Sequence, residues 1–204
     1  MSINALERYK IARDSAWQWR SELSWLKKLS LALGMAILIG LLAQARIPLP
    51  WTPVPITGQT FAVLLAAVLL GQWWGGVSLA IYIGLGIAGV PWFNGWTGGI
   101  AGIAGPTGGY LIGFILAALF LGYFVEKYAK ARSFRSLLGL MLFADFVLIF
   151  GPGLIQLHLW LDVAGKGTIG FYQLISMGLL PFIVGDVIKV IAAAGAAWAL
   201  TSKK

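Results

Sequence analysis

Two residues in this chain have the types and spacing for chemistry inside an apolar environment. Asp186 and Lys189 stand three apart in the stretch Leu179–Lys189, LLPFIVGDVIK, which continues apolar from Val190 to Leu200. On a helix, positions i and i+3 share a face, so carboxylate and ammonium can pair. Either charge alone at the centre of a membrane helix costs roughly 2.5–3.5 kcal/mol on the insertion scale, so such groups are kept where they face a cavity or a partner. The pair is therefore a candidate site, the alternative being a structural ion pair that ties two helices together. Pro181 suits a first helical turn. A last span Pro181–Leu200 then puts both residues about 8–12 Å below its start, open to whichever side Pro181 faces.

Other chemistries find little support. The chain has no cysteine, which removes disulfides, thiolate metal sites and cysteine nucleophiles. Its one histidine, His158, lies among Leu157, Leu159 and Trp160 and reads as a packing or interfacial residue, so neither a metal site nor a catalytic triad can be assembled. GLGIAG at Gly84–Gly89 fits a dinucleotide fingerprint literally but lies in an apolar span without a preceding strand. AGKGT around Lys166 lacks the first glycine of a phosphate loop. Asp145 is a second intramembrane acid, expected to partner a polar group on a neighbouring helix rather than to relay protons. No catalytic residues are assigned, and the chain is expected not to be an enzyme.

The elements that must position the pair lie in a membrane. With 59% hydrophobic and 11% charged residues in 204, the chain cannot present a soluble surface, and its ten tryptophans suit interfacial belts. The net charge of +8 does not indicate nucleic acid, because the basic residues flank hydrophobic spans instead of forming a solvated face.

Residues 1–28 mix basic and acidic groups without a cleavage motif, so they are not a signal peptide. Leu6, Tyr9, Ala12, Ala16, Trp19, Leu23 and Leu26 recur at spacings of three and four, which predicts an amphipathic cytoplasmic helix on the membrane surface, with Arg8, Arg13 and Arg20 reaching for headgroups. Residues 29–204 form an all-α membrane domain of six spans, near Leu29–Ala45, Ile56–Leu70, Gly75–Val90, Gly108–Val125, Leu137–His158 and Pro181–Leu200. With six spans, the N-terminus, the loop with Lys127, Lys130, Arg132 and Arg135, and the Lys203–Lys204 tail share one side. Arg46 and Lys166 fall on the other. The positive-inside rule makes both termini cytoplasmic.

The outer side collects stiff and close-packing loops. Pro48, Pro50, Pro53 and Pro55 make the first a rigid strap. The second, Pro91–Tyr110, sets glycines among Trp92, Phe93 and Trp96 and carries no charge, so glycine backbone and aromatic rings can cover a neutral, ring-shaped solute. A compact loop folded on itself is the alternative.

PVPITGQTF at Pro53–Phe61, GIAGVPWF at Gly86–Phe93, GPTGGYLIGF at Gly105–Phe114 and GDVIK at Gly185–Lys189 resemble the biotin transporter substrate-binding (BioY) family. These are the membrane-embedded S components of energy-coupling factor (ECF) transporters, and the resemblance runs from about Leu29 to Leu200. It implies a six-helix S-component fold in the cell membrane that captures biotin from outside. It also implies association with a transmembrane T subunit and ATPase subunits, to which ATP hydrolysis is assigned. No cofactor is implied beyond biotin as the transported ligand.

Biotin offers two ureido N–H donors and one carbonyl, an apolar thiophane ring and a carboxylate. Asp186 can accept from the ureido N–H groups, Lys189 can meet the ureido oxygen or the carboxylate, and Asn94 can supply a two-way amide contact. Thr57, Gln59 and Tyr110 open or flank spans on the same side and are candidates for the cavity wall. Ala32, Ala36 and Gly40 recur every four residues and form a smooth ridge. By the resemblance this ridge faces the T subunit; packing within the chain is the alternative. The competing functional reading is an unaided carrier or channel for a small vitamin-like solute, with Asp145 as a proton site.

Overall fold

The computed structural model describes residues 4–165 and 169–203. Lys166 and Lys204, both counted in the charge balance across the membrane, lie outside the described residues. The fold is helical: α1 (Ala5–Glu22), α2 (Trp25–Gln44), α3 (Gln59–Ile87), α4 (Ile100–Ala104), α5 (Gly108–Lys127), α6 (Phe134–Phe143), α7 (Phe150–Val163), α8 (Phe171–Gly178) and α9 (Ile183–Leu200). A short ribbon pairs β1 (Arg46–Ile47) with β2 (Ile56–Thr57), antiparallel, with Arg46 opposite Thr57. Among the described residues, five stretches are long and apolar enough to cross a membrane: Trp25–Gln44, Gln59–Ile87, Gly108–Lys127, Phe134–Val163 and Phe171–Leu200.

The longest helix is two antiparallel arms. Gly71, at φ 83° and ψ −174°, adopts a backbone that L residues rarely reach, and the chain reverses there. Gln59 Nε2 consequently lies 2.8 Å from Tyr82 Oη. In one straight helix those residues, 23 positions apart, would be about 35 Å apart at 1.5 Å per residue. The corner exposes helix-end groups, and side chains satisfy them. Arg20 Nη1 donates to the carbonyls of Val68 (3.3 Å) and Leu69 (2.8 Å), while Gln72 N–H donates to Glu126 Oε2 (3.1 Å). Arg20 and Glu126 themselves approach to 3.6 Å.

Helix α5 runs through the middle, and the absence of a side chain at Gly113 lets it approach closely the backbone of Leu148 and Ile149. There the sixth and seventh helices are joined by a π-helical turn, Ala144–Ile149. Pro152 follows it and has no N–H for the carbonyl of Leu148, so the ladder is already broken where the turn widens. The core gathers Ala62, Leu64, Leu79, Ala117, Leu121 and Met141, all fully buried.

Three expectations are corrected. The small-residue ridge does not face outward: Ala32 and Ala36 are 0% exposed, and a Cβ at Gly40 would lie 3.1 Å from the Cβ of Trp92. The ridge lets α2 and the third helix of this same chain approach, so it is not a free partner surface. The last span starts earlier, at Phe171. Pro181 sits in a 3-10 turn, Leu180–Phe182, and α9 begins at Ile183, which puts Asp186 in its first turn. On α1, Arg13 pairs with Asp14 at 3.0 Å and Arg20 holds the Gly71 corner, so neither is left to reach for headgroups. Trp17 of the same helix turns inward, packed between Arg20 (4.0 Å) and Arg132 (4.8 Å).

Candidate functional site

A cavity of about 300 Å³ opens between the β1–β2 strap, the Pro91–Tyr110 loop and the helices beneath them. Thr57, Gln59, Asn94, Tyr110, Asp186 and Lys189 all line it. Residues from four separate parts of the sequence are thereby brought to one place. Volume and mixed lining match what small-molecule sites require.

At its inner end the first turn of α9 presents Asp186, 2% exposed, in an ion pair with Lys189. Lys189 Nζ also donates to the backbone carbonyl of Thr57 (2.9 Å) and reaches Thr60 Oγ1 (3.4 Å). The ammonium thus neutralises the buried acid and ties α9 to the strap.

The wall residues are held by one another. Thr57 Oγ1 donates to Gln59 Oε1 (3.1 Å), Gln59 Nε2 donates to Tyr82 Oη (2.8 Å), and Trp92 Nε1 donates to the Tyr82 carbonyl (2.8 Å). Tyr110 commits its hydroxyl to the Gly178 carbonyl (2.8 Å) and sets its ring edge-on to Phe150, so it offers the cavity an aromatic face. Asn94 differs. Among the described residues its side-chain amide makes no hydrogen bond, which leaves donor and acceptor to a ligand.

Of the loop's three rings, Phe93 lines the cavity, at 3% exposed, whereas Trp92 packs behind it on Tyr82 and Trp96 is 66% exposed. Of the three rings expected to cover a solute, only Phe93 lines the cavity. Asp145 also departs from expectation. It is 0% exposed, and among the described residues neither carboxylate oxygen has a hydrogen-bond partner on a neighbouring helix. Asp186 and Lys189 are its electrostatic neighbours. His158 lies 3.7 Å from Asp162, and the described residues hold no cluster of three metal-ligating side chains.

Sequence reasoning missed the residues that shape the loop. Gln44, at the end of α2, donates to the carbonyls of Trp92 (3.2 Å) and Phe93 (3.0 Å) and accepts from Trp96 N–H (2.9 Å). Gln156 holds the carbonyls of Ile103 (2.6 Å) and Gly105 (2.9 Å). A lone amide in or at the end of an apolar span is the signal that marks both, since it must find a partner there. Arg46 and Thr60, which also line the cavity, were missed as well.

Comparisons with known proteins agree on one group. A model of the BioY family matches residues 13–203. The probable biotin transporter BioY of Methanothermobacter thermautotrophicus is 50% identical over 141 residues, covering 69% of this chain and 89% of that protein. The biotin transporter BioY of Thermotoga maritima is 38% identical over 150 residues, covering 74% and 82%. Among solved structures, the S-component for biotin from an ECF-type ABC transporter superposes with a TM-score of 0.74 at 29% identity, over 86% of this chain and 90% of that one.

Proposed function

The chain belongs to the BioY family, and from that premise we propose that it is the membrane subunit that captures biotin from outside for ATP-driven uptake by an ECF-type transporter. It is a multi-pass membrane protein and not an enzyme. The observation that carries the reading is the cavity over the Asp186–Lys189 pair: a buried acid held by an ammonium, an uncommitted amide at Asn94, and apolar rings between them. Asp186 accepts from the ureido N–H groups and Asn94 meets the same ring with its amide. Phe93, Tyr110 and Phe150 cover the thiophane. Thr57 and Gln59 hold the wall.

In this reading the chain crosses the cell membrane six times, with both termini in the cytoplasm. The reversal at Gly71 supports that count, since it returns the second arm to the side from which the first began. The T subunit and ATPase subunits supply the energy. No phosphate-binding loop was found in the sequence to do so.

Calorimetry of the purified chain in detergent, without nucleotide, tests the proposal. Saturable one-to-one binding of biotin, weakened in Asp186→Asn, is the expected result. Heat with a different vitamin and none with biotin overturns the substrate.

A further inference from the structure

Among the described residues, three charged side chains line the cavity: Asp186, Lys189 and Arg46. Biotin carries a carboxylate, and the sequence left open whether Lys189 reads it. The geometry answers through donor counting. An ammonium has three donors. Those of Lys189 face Asp186, the Thr57 carbonyl at 2.9 Å and Thr60 Oγ1 at 3.4 Å. A ligand carboxylate would have to displace one of them and would meet the negative charge of Asp186 beside it. Displacing Asp186 itself would strand a buried acid, which is the costly way to break such a pair.

Arg46 is in the opposite condition. It is exposed at the mouth, and among the described residues its guanidinium makes no ion pair or hydrogen bond. Its backbone is fixed opposite Thr57 in the strap. Its side chain lies against Gly95: a Cβ there would sit 2.5 Å from Nη1 and 2.8 Å from Cζ. Gly95, at φ 75°, thus makes both the turn and the room in which the guanidinium rests. A guanidinium presents a planar fork that matches a carboxylate with two parallel hydrogen bonds.

We propose that Arg46 reads the carboxylate of the ligand's acyl tail at the mouth of the cavity, while Lys189 serves to hold Asp186 and the strap. The inference rests on the reading of the cavity as a biotin site. With the ureido ring at the inner end, the tail points outward, toward the one cation among the described residues lining the cavity that has donors to give. Recognition is then divided, with the ring read by Asp186 and Asn94 and the tail by Arg46.

The test compares biotin with biotinamide, whose neutral carboxamide replaces the carboxylate, on the wild-type chain and on Arg46→Ala and Arg46→Lys. Wild type is expected to prefer biotin by about ten- to a hundredfold, the value of hydrogen bonds to a charged group. Arg46→Ala should bind biotinamide as wild type does, which shows that it is folded, and should bind biotin no better than the amide. Arg46→Lys should recover part of the preference. If Arg46→Ala keeps the full preference, the carboxylate is read elsewhere and the inference is overturned. It is overturned equally if both compounds weaken together, and in both cases the biotin reading stands. Failure of wild type to bind either compound overturns that reading and this inference with it.

Discussion

Lys189 Nζ lies 2.9 Å from the carbonyl of Thr57, so the ammonium that pairs with Asp186 also fastens the last helix to the outer strap. One side chain therefore serves both stability and the shape of the site. Lys189→Met is expected to lower stability by about 3–5 kcal/mol, because it leaves Asp186 buried without a counter-charge. The double substitution Asp186→Asn with Lys189→Met removes both charges and should recover most of that loss while still failing to bind biotin. Thermal unfolding in detergent beside calorimetry separates the two effects. A double variant as unstable as Lys189→Met would show that the strap contact, not the stranded acid, sets the stability.

Asp186 and Lys189 were legible in the sequence because charge in an apolar helix has few physical excuses, and a cavity is one of them. The break between two short spans was legible too, as the gap from Leu70 to Gly75 in which Gly71 turns the chain. The Ala32–Ala36–Gly40 ridge was legible as close packing but silent on its neighbour, since small residues admit any helix. Pro181 signalled the start of α9 two residues too early, because the break at Leu179 diverts it into a 3-10 turn. Arg46 read as a loop charge useful only for orientation. Its approach to Gly95 is a tertiary fact that no local pattern encodes.

Gly71 carries the reversal between the arms of the third helix and is expected not to tolerate a side chain. At φ 83° an alanine is strained by about 1–3 kcal/mol, and its Cβ would strike the Glu126 carboxyl that caps Gln72 N–H. Gly71→Ala should lower the thermal midpoint, whereas biotin affinity, set at the opposite end of the arms, should change by no more than about twofold. A large affinity loss in a variant that still melts cooperatively would show that the corner and the cavity move together.

Lys203 gives the chain a pH signature outside the membrane. Burial, then the nearby charges of Arg13 and Arg132, push its ammonium down to about 8 from the ordinary 10.5, with Asp14 opposing. Below about 8 both folded and unfolded chains hold the proton, and the folded state bears the full cost of the buried charge. Between about 8 and 10.5 the unfolded chain holds more protons, so stability rises with pH across that window. The difference in thermal midpoint between wild type and Lys203→Ala should therefore grow in favour of wild type from pH 8 to pH 10. A constant difference over that range would mean that Lys203 titrates normally.

The proposed six crossings would put the Gly71 corner, α1 and the loop at Ser133 on one side, and both cavity loops on the other. The chain contains no cysteine, so single cysteines can be introduced without background. Trp51, Thr97, Trp73, Ser15 and Ser133 are all exposed, so a thiol at any of them is reachable from its own side. In intact cells a membrane-impermeant maleimide should label Trp51→Cys and Thr97→Cys, while Ser15→Cys, Trp73→Cys and Ser133→Cys should react only after permeabilisation. Trp73 is the decisive position, since it sits beside the corner that Arg20 and Glu126 secure. Were Trp51 and Thr97 to label from opposite sides, the two arms would count as one crossing. The strap and the glycine loop could not then close over the same cavity, and capture from outside would lose its geometry.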